Sequence, residues 1–319
     1  MIGIIGAGAF GTALAVVQGQ FGRSVVLLAR DEAAALEIGT SRMSPRLRVA
    51  SLPQTVSVTA KIEDLQTCQT ILLAVPMQAL RATLHHYSAA LNGRRLVACC
   101  KGIDLETLMG PTAVIKAECP LACAMVLTGP SFATDMARGL STALTLAGAD
   151  PNALSAAQSD IAVPSLRIYR NRDPIGAELG GALKNVIAIA CGASIGAGMG
   201  ESARAAVMTR GFAELQRFAT AHGAQTETLM GLSGFGDLVL TCTSEQSRNY
   251  RYGLSLGRGE VFDTHITVEG VATARAVARM AIHQGIDTPI TTTLVDLFDG
   301  RTSIGEAIKS LLSRPLKEE

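Results

Sequence analysis

The sequence predicts an α/β protein in which an N-terminal domain with a doubly wound parallel sheet precedes a C-terminal all-helical domain. Short apolar runs alternate with helix-like segments as far as residue 173, and long alanine- and leucine-rich segments replace them from Pro174 onward. A chain of 319 residues is long enough for two domains with large cores. We therefore expect a sheet domain over residues 1–173 and a helical domain over residues 174–319.

The strands of the first domain are predicted from apolar runs that are too short for helices and are bounded by glycine, proline or polar residues. These runs are residues 2–5, 25–29, 70–75, 96–99, 125–127 and 143–146. Their alternation with helical segments indicates a parallel sheet that is covered on both faces. In the second domain, helical spacing predicts helices over residues 203–221 and 270–284.

Composition excludes several classes of protein. Lys and Arg number 28 against 27 Asp and Glu, so no basic field would draw the chain to nucleic acid or to an anionic membrane. The uncharged run over residues 185–200 is too short and too rich in glycine for a membrane span. We expect neither nucleic-acid binding nor membrane insertion.

Cysteine usage is typical of a reducing compartment. The seven cysteines form no C-x-x-C pair, so neither a disulfide framework nor a zinc ribbon is indicated, and we expect no metal site. The first residues, MIGIIGAGAF, lack a basic leader. These features predict a cytoplasmic protein.

The apolar helices of the second half suit a homodimer interface and core packing equally well.

A G-x-G-x-x-G motif formed by Gly6, Gly8 and Gly11 follows the first strand and opens an alanine-rich helix. In this context the first glycine allows a tight turn, the second lets a pyrophosphate approach the backbone, and the third permits close packing of the helix. The motif predicts a Rossmann dinucleotide site. Arg30 ends the second strand, where an arginine can bind the 2′-phosphate of NADP, and Asp31 follows it, where an acid would bind the ribose of NAD. NADP is favoured, and NAD remains open.

Polar groups also follow two later strands, at the edge of the sheet where ligands collect. Lys101 leaves the strand LVACC, and Gly129 and Ser131 form a bend in VLTGPSFA. Ordinary loop chemistry would explain either of them alone. Their common placement beyond strand ends favours a site.

The densest polar set lies in GLSGFGDLVLTCTSEQSRNYRYG. Asp237 and Thr241 stand one helical turn apart, and the run TSEQS is expected to end their helix. Ser247 then caps a second helix whose first N–H groups lie beside the guanidinium of Arg248. This arrangement predicts a phosphate site, since a helix start and an arginine fork both favour an anion.

Lys184 is the only charged residue between Glu178 and Glu201. An isolated buried charge costs several kcal/mol, roughly, so this lysine needs a partner or a route to water. A structural lysine whose stem is buried and whose head reaches water is the simpler interpretation. The histidines lie outside every motif described above, so Lys184 is the candidate for proton transfer.

The motifs together resemble the NAD(P)-dependent glycerol-3-phosphate dehydrogenase family of the bacterial type over nearly the whole chain. They are GAGAFGTALA, CCKGID, TGPSFA, GAELGGALKNVIAIACG, TRGFAEL, MGLSGFGDLVLTCTSEQSRNYRYG and VEGVATA. The resemblance implies reversible hydride transfer between NAD(P)H and dihydroxyacetone phosphate to give sn-glycerol 3-phosphate, the backbone of glycerophospholipids.

The resemblance also implies roles for individual residues. Lys184 would transfer the proton, with Lys101 and Asp237 completing the catalytic group. The implied substrate contacts are Lys101, Gly129, Ser131, Asn185, Asp237, Thr241, Ser247, Arg248 and Asn249. The implied cofactor contacts are Gly6, Gly8, Ala9, Phe10, Gly11, Arg30, Lys101, Ala133, Arg248 and Glu269.

Two departures and two alternatives accompany this resemblance. Ala9 replaces the serine usual in the family, and Cys99 with Cys100 replaces smaller or hydroxyl residues before the lysine. A hydroxyacid dehydrogenase of the 6-phosphogluconate type is one alternative, but such enzymes carry an asparagine one turn beyond the lysine, where this chain has Ala188. A non-catalytic dinucleotide sensor is the other, and it would not need Lys184.

Overall fold

This computed structural model describes residues 1–312 of the chain, which form two compact units. Unit 1 comprises Met1–Lys101 and Met109–Glu178, and unit 2 comprises Gly102–Leu108 and the chain from Leu179 onward. The boundary expected after residue 173 falls at the start of the helix Pro174–Gly196, which begins in unit 1 and continues in unit 2. The domains 1–173 and 174–319 therefore stay a prediction.

Unit 1 contains strands and helices in alternation. Its strands are β1 Ile2–Ile5, β2 Val25–Leu28, β3 Val56–Thr59, β4 Thr70–Leu73, β5 Arg95–Ala98, β6 Cys123–Thr128, β7 Thr142–Gly148 and β8 Leu166–Asn171. Its helices are α1 Ala9–Gln20, α2 Glu32–Ser41, α3 Met77–Leu91, α4 Pro111–Glu118, α5 Ala133–Ala137 and α6 Pro151–Ile161, followed by the first turn of α7 Pro174–Gly196. All six predicted strands are present, and β3 and β8 are additional.

The strands form one sheet in the order β3-β2-β1-β4-β5-β6-β7-β8. The first six are parallel, and their order is that of doubly wound dinucleotide-binding sheets. The predicted parallel direction does not extend to the last two strands. After β6 the chain turns at Gly129, and β7 runs back beside β6, so that Thr128 pairs antiparallel with Thr145. β8 then pairs with β7 in parallel.

Both faces of this sheet are buried. Ile4 and Leu27 belong to one apolar cluster, while the next residues along each strand, Ile5 and Leu28, belong to another. Side chains alternate between the faces of a strand, so fully buried strands such as these must be covered by helices on both sides. The carboxyl end of β1 leads into the glycine motif, and the carboxyl ends of β2 and β5 lead into loops that contain Arg30 and Lys101.

The described part of unit 2 is helical. Its helices are α7 from Leu179, α8 Gly200–Ala221, α9 Thr226–Met230, α10 Asp237–Cys242, α11 Arg248–Arg258, α12 Glu269–Gln284, α13 Pro289–Phe298 and α14 Ile304–Leu312. The two helices predicted from periodicity correspond to α8 and α12. Leu183, Phe218 and Leu238 lie in the principal core of this unit, together with Ile103 from the segment Gly102–Leu108.

Helix α7 is apolar along most of its length. The helix has 23 residues and contains an apolar 18-residue window with a mean hydropathy of 1.4, so it would suit a membrane span by length and composition. However, 89% of its apolar window is buried inside the protein, which is typical of the core helix of a globular domain.

A buried carboxylate, Glu178, caps helix α4 within unit 1. Its Oε1 accepts a hydrogen bond from the backbone N–H of Thr112 at 2.6 Å. Burial is the largest effect on this carboxyl and raises its pKa to about 7 from 4.5, against the lowering effect of the Thr112 hydrogen bond and of Lys116, while Asp173 adds to the increase. The native structure thus binds a proton on Glu178 more tightly than the unfolded chain does.

We expect Glu178→Gln to remove a pH dependence of stability. Since the native pKa is raised, the stabilising contribution of the protonated carboxyl is complete below pH 4.5 and is lost as the pH rises through about 7. As the pH rises from 4.5 to above 7, the unfolding free energy of the variant should therefore increase by about 3 kcal/mol relative to that of the wild type. Urea unfolding at a series of pH values measures this difference. If the difference in unfolding free energy between the variant and the wild type stayed constant with pH, the pKa of Glu178 would not be raised in the native structure.

Candidate active site

The glycine motif of unit 1 has the geometry that a dinucleotide needs. Gly6 has φ +109°, and a Cβ there would lie 2.7 Å from the carbonyl oxygen of Ala74. A Cβ on Gly11 would lie 2.0 Å from the oxygen of Gly6, whereas a Cβ on Gly8 would meet no atom within 4 Å. The second glycine therefore faces open space at the start of α1, whose first turn contains no acidic residue. The loop fits a pyrophosphate.

The remaining predicted cofactor residues of unit 1 lie near this loop or at the end of β2. Three of them are half-buried against the apolar cluster that contains Ile4 and Leu27, namely Ala9, Phe10 and Ala133. Arg30 is 89% exposed and donates through Nε to Asp31 Oδ2 at 2.9 Å. Asp31 accepts from the backbone N–H of Ala34 at 2.8 Å as the N-cap of α2, and this hydrogen bond, followed by that from Arg30, lowers the pKa of its carboxyl. Arg30 is therefore the group at this strand end that is available to a ligand.

Lys101, Gly129 and Ser131 lie together in unit 1, as their positions beyond strand ends predict. Lys101 Nζ donates to the carbonyl oxygen of Gly129 at 3.3 Å, and Ser131 Oγ donates to the same oxygen at 3.2 Å. Gly129 has φ +138°, which a residue with a side chain rarely adopts. One glycine carbonyl thus holds both an ammonium and a hydroxyl group.

The unusual cysteines before Lys101 are core residues. Cys99 Sγ contacts the oxygen of Val97, Cys100 Sγ contacts Met77 Sδ at 3.8 Å, and both cysteines are buried. Burial raises the pKa of the Cys99 thiol to about 12 despite the opposing charge of Lys101. Cys99 therefore remains a neutral thiol at physiological pH.

In unit 2, Lys184 has the partner that its isolation in the sequence calls for. Its ammonium forms an ion pair with Asp237 Oδ1 and donates to Thr241 Oγ1 at 2.6 Å. Thr241 Oγ1 in turn donates to Asp237 Oδ1 at 3.3 Å. The side chains of Lys184 and Asp237 are only 6% and 1% exposed, so the structure contains a buried, charge-compensated triad.

A π-helical turn over Leu232–Gly236 positions Asp237 at the start of α10. Helix α7 approaches this turn through Gly180, where a Cβ would lie 2.8 Å from the carbonyl oxygen of Ser233. Single π turns often accompany functional sites because they redirect the side chains that follow. Sequence reasoning missed this turn, although the glycines of GLSGFG were a signal.

The predicted break between α10 and the next helix is present, and Ser247 is the N-cap of α11. Ser247 Oγ accepts the backbone N–H of Tyr250 at 3.2 Å. The N–H groups of Arg248 and Asn249, in the first turn, have no acceptor within the helix. Arg248 is exposed beside them, and Asn249 is 8% exposed.

Close packing brings the start of α11 to the helix that carries Lys184. A Cβ on Gly192 of α7 would lie 2.1 Å from the oxygen of Tyr250, and a Cβ on Gly253 of α11 would lie 2.1 Å from the oxygen of Ile189. The two backbones are therefore in direct contact. The N-terminus of α12 joins them, since the backbone N–H of Gly270, next to Glu269, donates to Asn249 Oδ1 at 2.9 Å.

In unit 1 the predicted residues form two groups, which are the glycine motif and the contact of Lys101 and Ser131 with Gly129. In unit 2 the predicted residues form one cluster. The cluster of unit 2 contains the Lys184 triad, the start of α11 with Arg248, and the start of α12. Gly270 is a member that sequence reasoning missed, although the glycine directly after Glu269 in VEGVATA was a signal.

Comparison with known proteins identifies the same family in both parts of the chain. The family model described as NAD-dependent glycerol-3-phosphate dehydrogenase N-terminus matches residues 1–154, and the corresponding C-terminus matches residues 173–309. The NAD(P)+ glycerol-3-phosphate dehydrogenase of Cereibacter sphaeroides is 58% identical over 319 residues and covers 100% of both chains. The protein of the same name from Paracoccus denitrificans is 55% identical and covers 100% of this chain and 99% of its own.

Solved structures agree with these relatives. The crystal structure of glycerol-3-phosphate dehydrogenase from Coxiella burnetii superposes with a TM-score of 0.92 at 33% identity and covers 98% of each chain. The enzyme of Plasmodium falciparum, at 18% identity and a TM-score of 0.88, shares the fold over 99% of this chain and 96% of its own.

Proposed function

The chain belongs to the NAD-dependent glycerol-3-phosphate dehydrogenase family, and from this premise we infer that Lys184 is the proton donor of its reaction. The protein is an NAD(P)-dependent oxidoreductase that reversibly transfers a hydride between NAD(P)H and dihydroxyacetone phosphate, which gives sn-glycerol 3-phosphate. The family match over both parts of the chain favours this function over a dehydrogenase of the 6-phosphogluconate type and over a dinucleotide sensor. The observation that carries the role of Lys184 is its buried triad with Asp237 and Thr241.

The chemistry requires a proton at the carbonyl oxygen of the substrate. The bound cofactor supplies the hydride to the carbonyl carbon, and negative charge then develops on the oxygen. A buried ammonium stabilises that charge and can donate the proton. Asp237 compensates the charge of Lys184 in the buried site, and Thr241 fixes the position of its Nζ.

The phosphate of the substrate would bind at the start of α11. Arg248 offers a guanidinium fork, and the N–H groups of Arg248 and Asn249, which have no acceptor within the helix, add the positive end of the helix dipole. Ser247 and Asn249 would contribute further donors. Asn185 follows Lys184 directly on α7, and its backbone lies close to Gly270. Lys101 would contact both substrate and cofactor, and Gly129 and Ser131 would contact the substrate.

The cofactor would be held by the glycine motif, with further contacts from Ala9, Phe10, Arg30, Ala133, Glu269 and Arg248. We also propose a cytoplasmic location, a role in glycerophospholipid synthesis and a homodimer. The product is the glycerol unit that acylation reactions consume, which supports the role in lipid synthesis. The odd number of cysteines without C-x-x-C pairs supports a reducing compartment.

Oxidation of the reduced cofactor by dihydroxyacetone phosphate tests the function. The absorbance of NADPH and, separately, of NADH is followed with the purified protein and this substrate. Dihydroxyacetone, which lacks the phosphate, is the matched control and should be turned over far less efficiently. If dihydroxyacetone and dihydroxyacetone phosphate were reduced with equal kcat/KM, the proposal of a phosphorylated substrate would be wrong. If neither ketone caused the absorbance of the reduced cofactor to fall, the proposed activity would be wrong.

We expect Arg30→Asp to change the preference between the two cofactors. The variant loses a partner for the 2′-phosphate and gains a carboxylate that repels it, so kcat/KM for NADPH should fall by about tenfold relative to that for NADH. Initial rates with both cofactors measure the ratio. If both values fell equally, Arg30 would have no role in recognising the 2′-phosphate.

A further inference from the structure

We propose that Gly270 is a positioning residue for phosphate binding, because its backbone N–H orients the amide of Asn249. The inference rests on the proposed function. An asparagine amide has an acceptor oxygen and a donor NH₂ group, and only the donor can bind a phosphate. The orientation of Asn249 therefore decides whether this residue assists or opposes substrate binding.

The hydrogen bond between the two residues settles that orientation. Gly270 is the second residue of α12, so its N–H has no acceptor within the helix. It donates to Asn249 Oδ1 at 2.9 Å, and both residues are buried. The backbone N–H of Gly270 can donate only to the oxygen of the Asn249 amide. Oδ1 therefore accepts this hydrogen bond, and the NH₂ group of Asn249 points away from Gly270.

The packing around Gly270 excludes any side chain at this position. A Cβ would lie 2.7 Å from Ile189 Cδ1, 2.8 Å from the backbone oxygen of Asn185 and 2.8 Å from Asn249 Oδ1. Ile189 and Asn185 belong to α7, which carries Lys184, and Asn249 follows Arg248 on α11. The missing side chain thus lets the start of α12 contact both helices and reach the amide.

Gly270→Ala should impair binding of the phosphorylated substrate more than the chemical step. The added methyl group displaces the start of α12 and lengthens the hydrogen bond to Asn249, so KM for dihydroxyacetone phosphate should rise by about tenfold. We expect kcat to change by less than about threefold, and kcat/KM for dihydroxyacetone to stay within about twofold of the wild type. A purely structural glycine would affect the two ketones alike.

Gly305→Ala is the matched control. Gly305 is also the second residue of a helix, α14, and a Cβ there would meet no atom within 4 Å. This variant should retain the kinetic constants of the wild type. An equal rise in KM for Gly305→Ala would show that the effect of Gly270→Ala is not specific.

Two variants of Asn249 test the orientation itself. In an Asn249→Ala background, Gly270→Ala should raise KM no further, because the group that it positions is gone. Asn249→Asp keeps an acceptor for the Gly270 N–H but presents an oxygen instead of NH₂, so it should bind dihydroxyacetone phosphate more weakly than Asn249→Ala does. This second test also applies if Gly270→Ala fails to fold.

The possible outcomes separate the two proposals. If the increases in KM caused by Gly270→Ala and Asn249→Ala multiply in the double variant, the positioning role is wrong. It is also wrong if Asn249→Asp binds dihydroxyacetone phosphate nearly as well as the wild type does. Turnover by the wild type would leave the proposed function intact in both cases. Absence of wild-type turnover with either cofactor would overturn the proposed function and this inference with it.

Discussion

Replacing Arg248 by alanine should raise KM for dihydroxyacetone phosphate by about 30-fold, or about 2 kcal/mol, because a charge-assisted hydrogen bond to the phosphate is lost. Arg248 is exposed at the first position of α11, so its removal should not disturb the core. The cap at Ser247 and the N–H groups of the first turn remain, and they should retain part of the phosphate affinity. Initial rates over a range of substrate concentrations measure the change.

Two controls distinguish phosphate binding from a structural effect of Arg248. Arg258→Ala removes an arginine from the other end of the same helix, where it is 52% exposed, and it should leave KM unchanged. Dihydroxyacetone, which has no phosphate, should be insensitive to Arg248→Ala. If the neutral ketone lost as much kcat/KM as the natural substrate, the arginine would be structural.

Much of the sheet could be predicted because its central strands are short, fully apolar runs. IGII, VVLL and TILL are buried at every position, as expected for strands covered on both faces. The two strands that escaped prediction, β3 and β8, are the edges of the sheet. VSVT is fully buried only at Val56, and LRIYRN alternates buried with exposed positions over its first four residues. Polar residues at an edge therefore obscure the apolar pattern.

The direction of β7 could not be predicted from its sequence. An apolar run has the same composition whether its strand is parallel or antiparallel, and the length of the connection after Gly129 allows either. The structure shows the antiparallel pairing of β6 with β7. Strand direction is therefore a tertiary property here, even though strand existence is a local one.

In the candidate site, the sequence predicted single residues better than their partners. Ser247 could be predicted as an N-cap because capping depends on neighbours within one helical turn. The contact between Lys184 and Asp237 joins residues 53 positions apart, and only the fold brings them together. Gly270 shows the same limit, since its significance depends on how closely α7 and α11 approach it.

Replacing Lys184 by methionine should lower turnover by about 100-fold or more while reduced cofactor still binds. Methionine keeps the length of the buried stem but removes the ammonium, so both proton donation and charge stabilisation are lost. The cofactor motif lies in unit 1, whereas Lys184 lies in unit 2, so cofactor affinity should be retained. Fluorescence titration with NADPH measures this affinity.

The ion pair with Asp237 makes a stability control necessary. Removing one partner of a buried pair leaves an uncompensated charge and typically costs about 3 to 5 kcal/mol. Lys184→Met should therefore melt at a lower temperature than the wild type. Lys184→Met combined with Asp237→Asn removes both charges and should recover much of that loss without recovering turnover, which separates catalysis from folding.

Turnover of dihydroxyacetone phosphate by this double variant, measured with melting temperature and NADPH affinity on the same preparation, tests the role of Lys184 most directly. We predict a folded protein that binds NADPH like the wild type and turns over about 100-fold more slowly or worse. A folded, cofactor-binding double variant with near-native turnover would contradict the assignment of Lys184 as the proton donor.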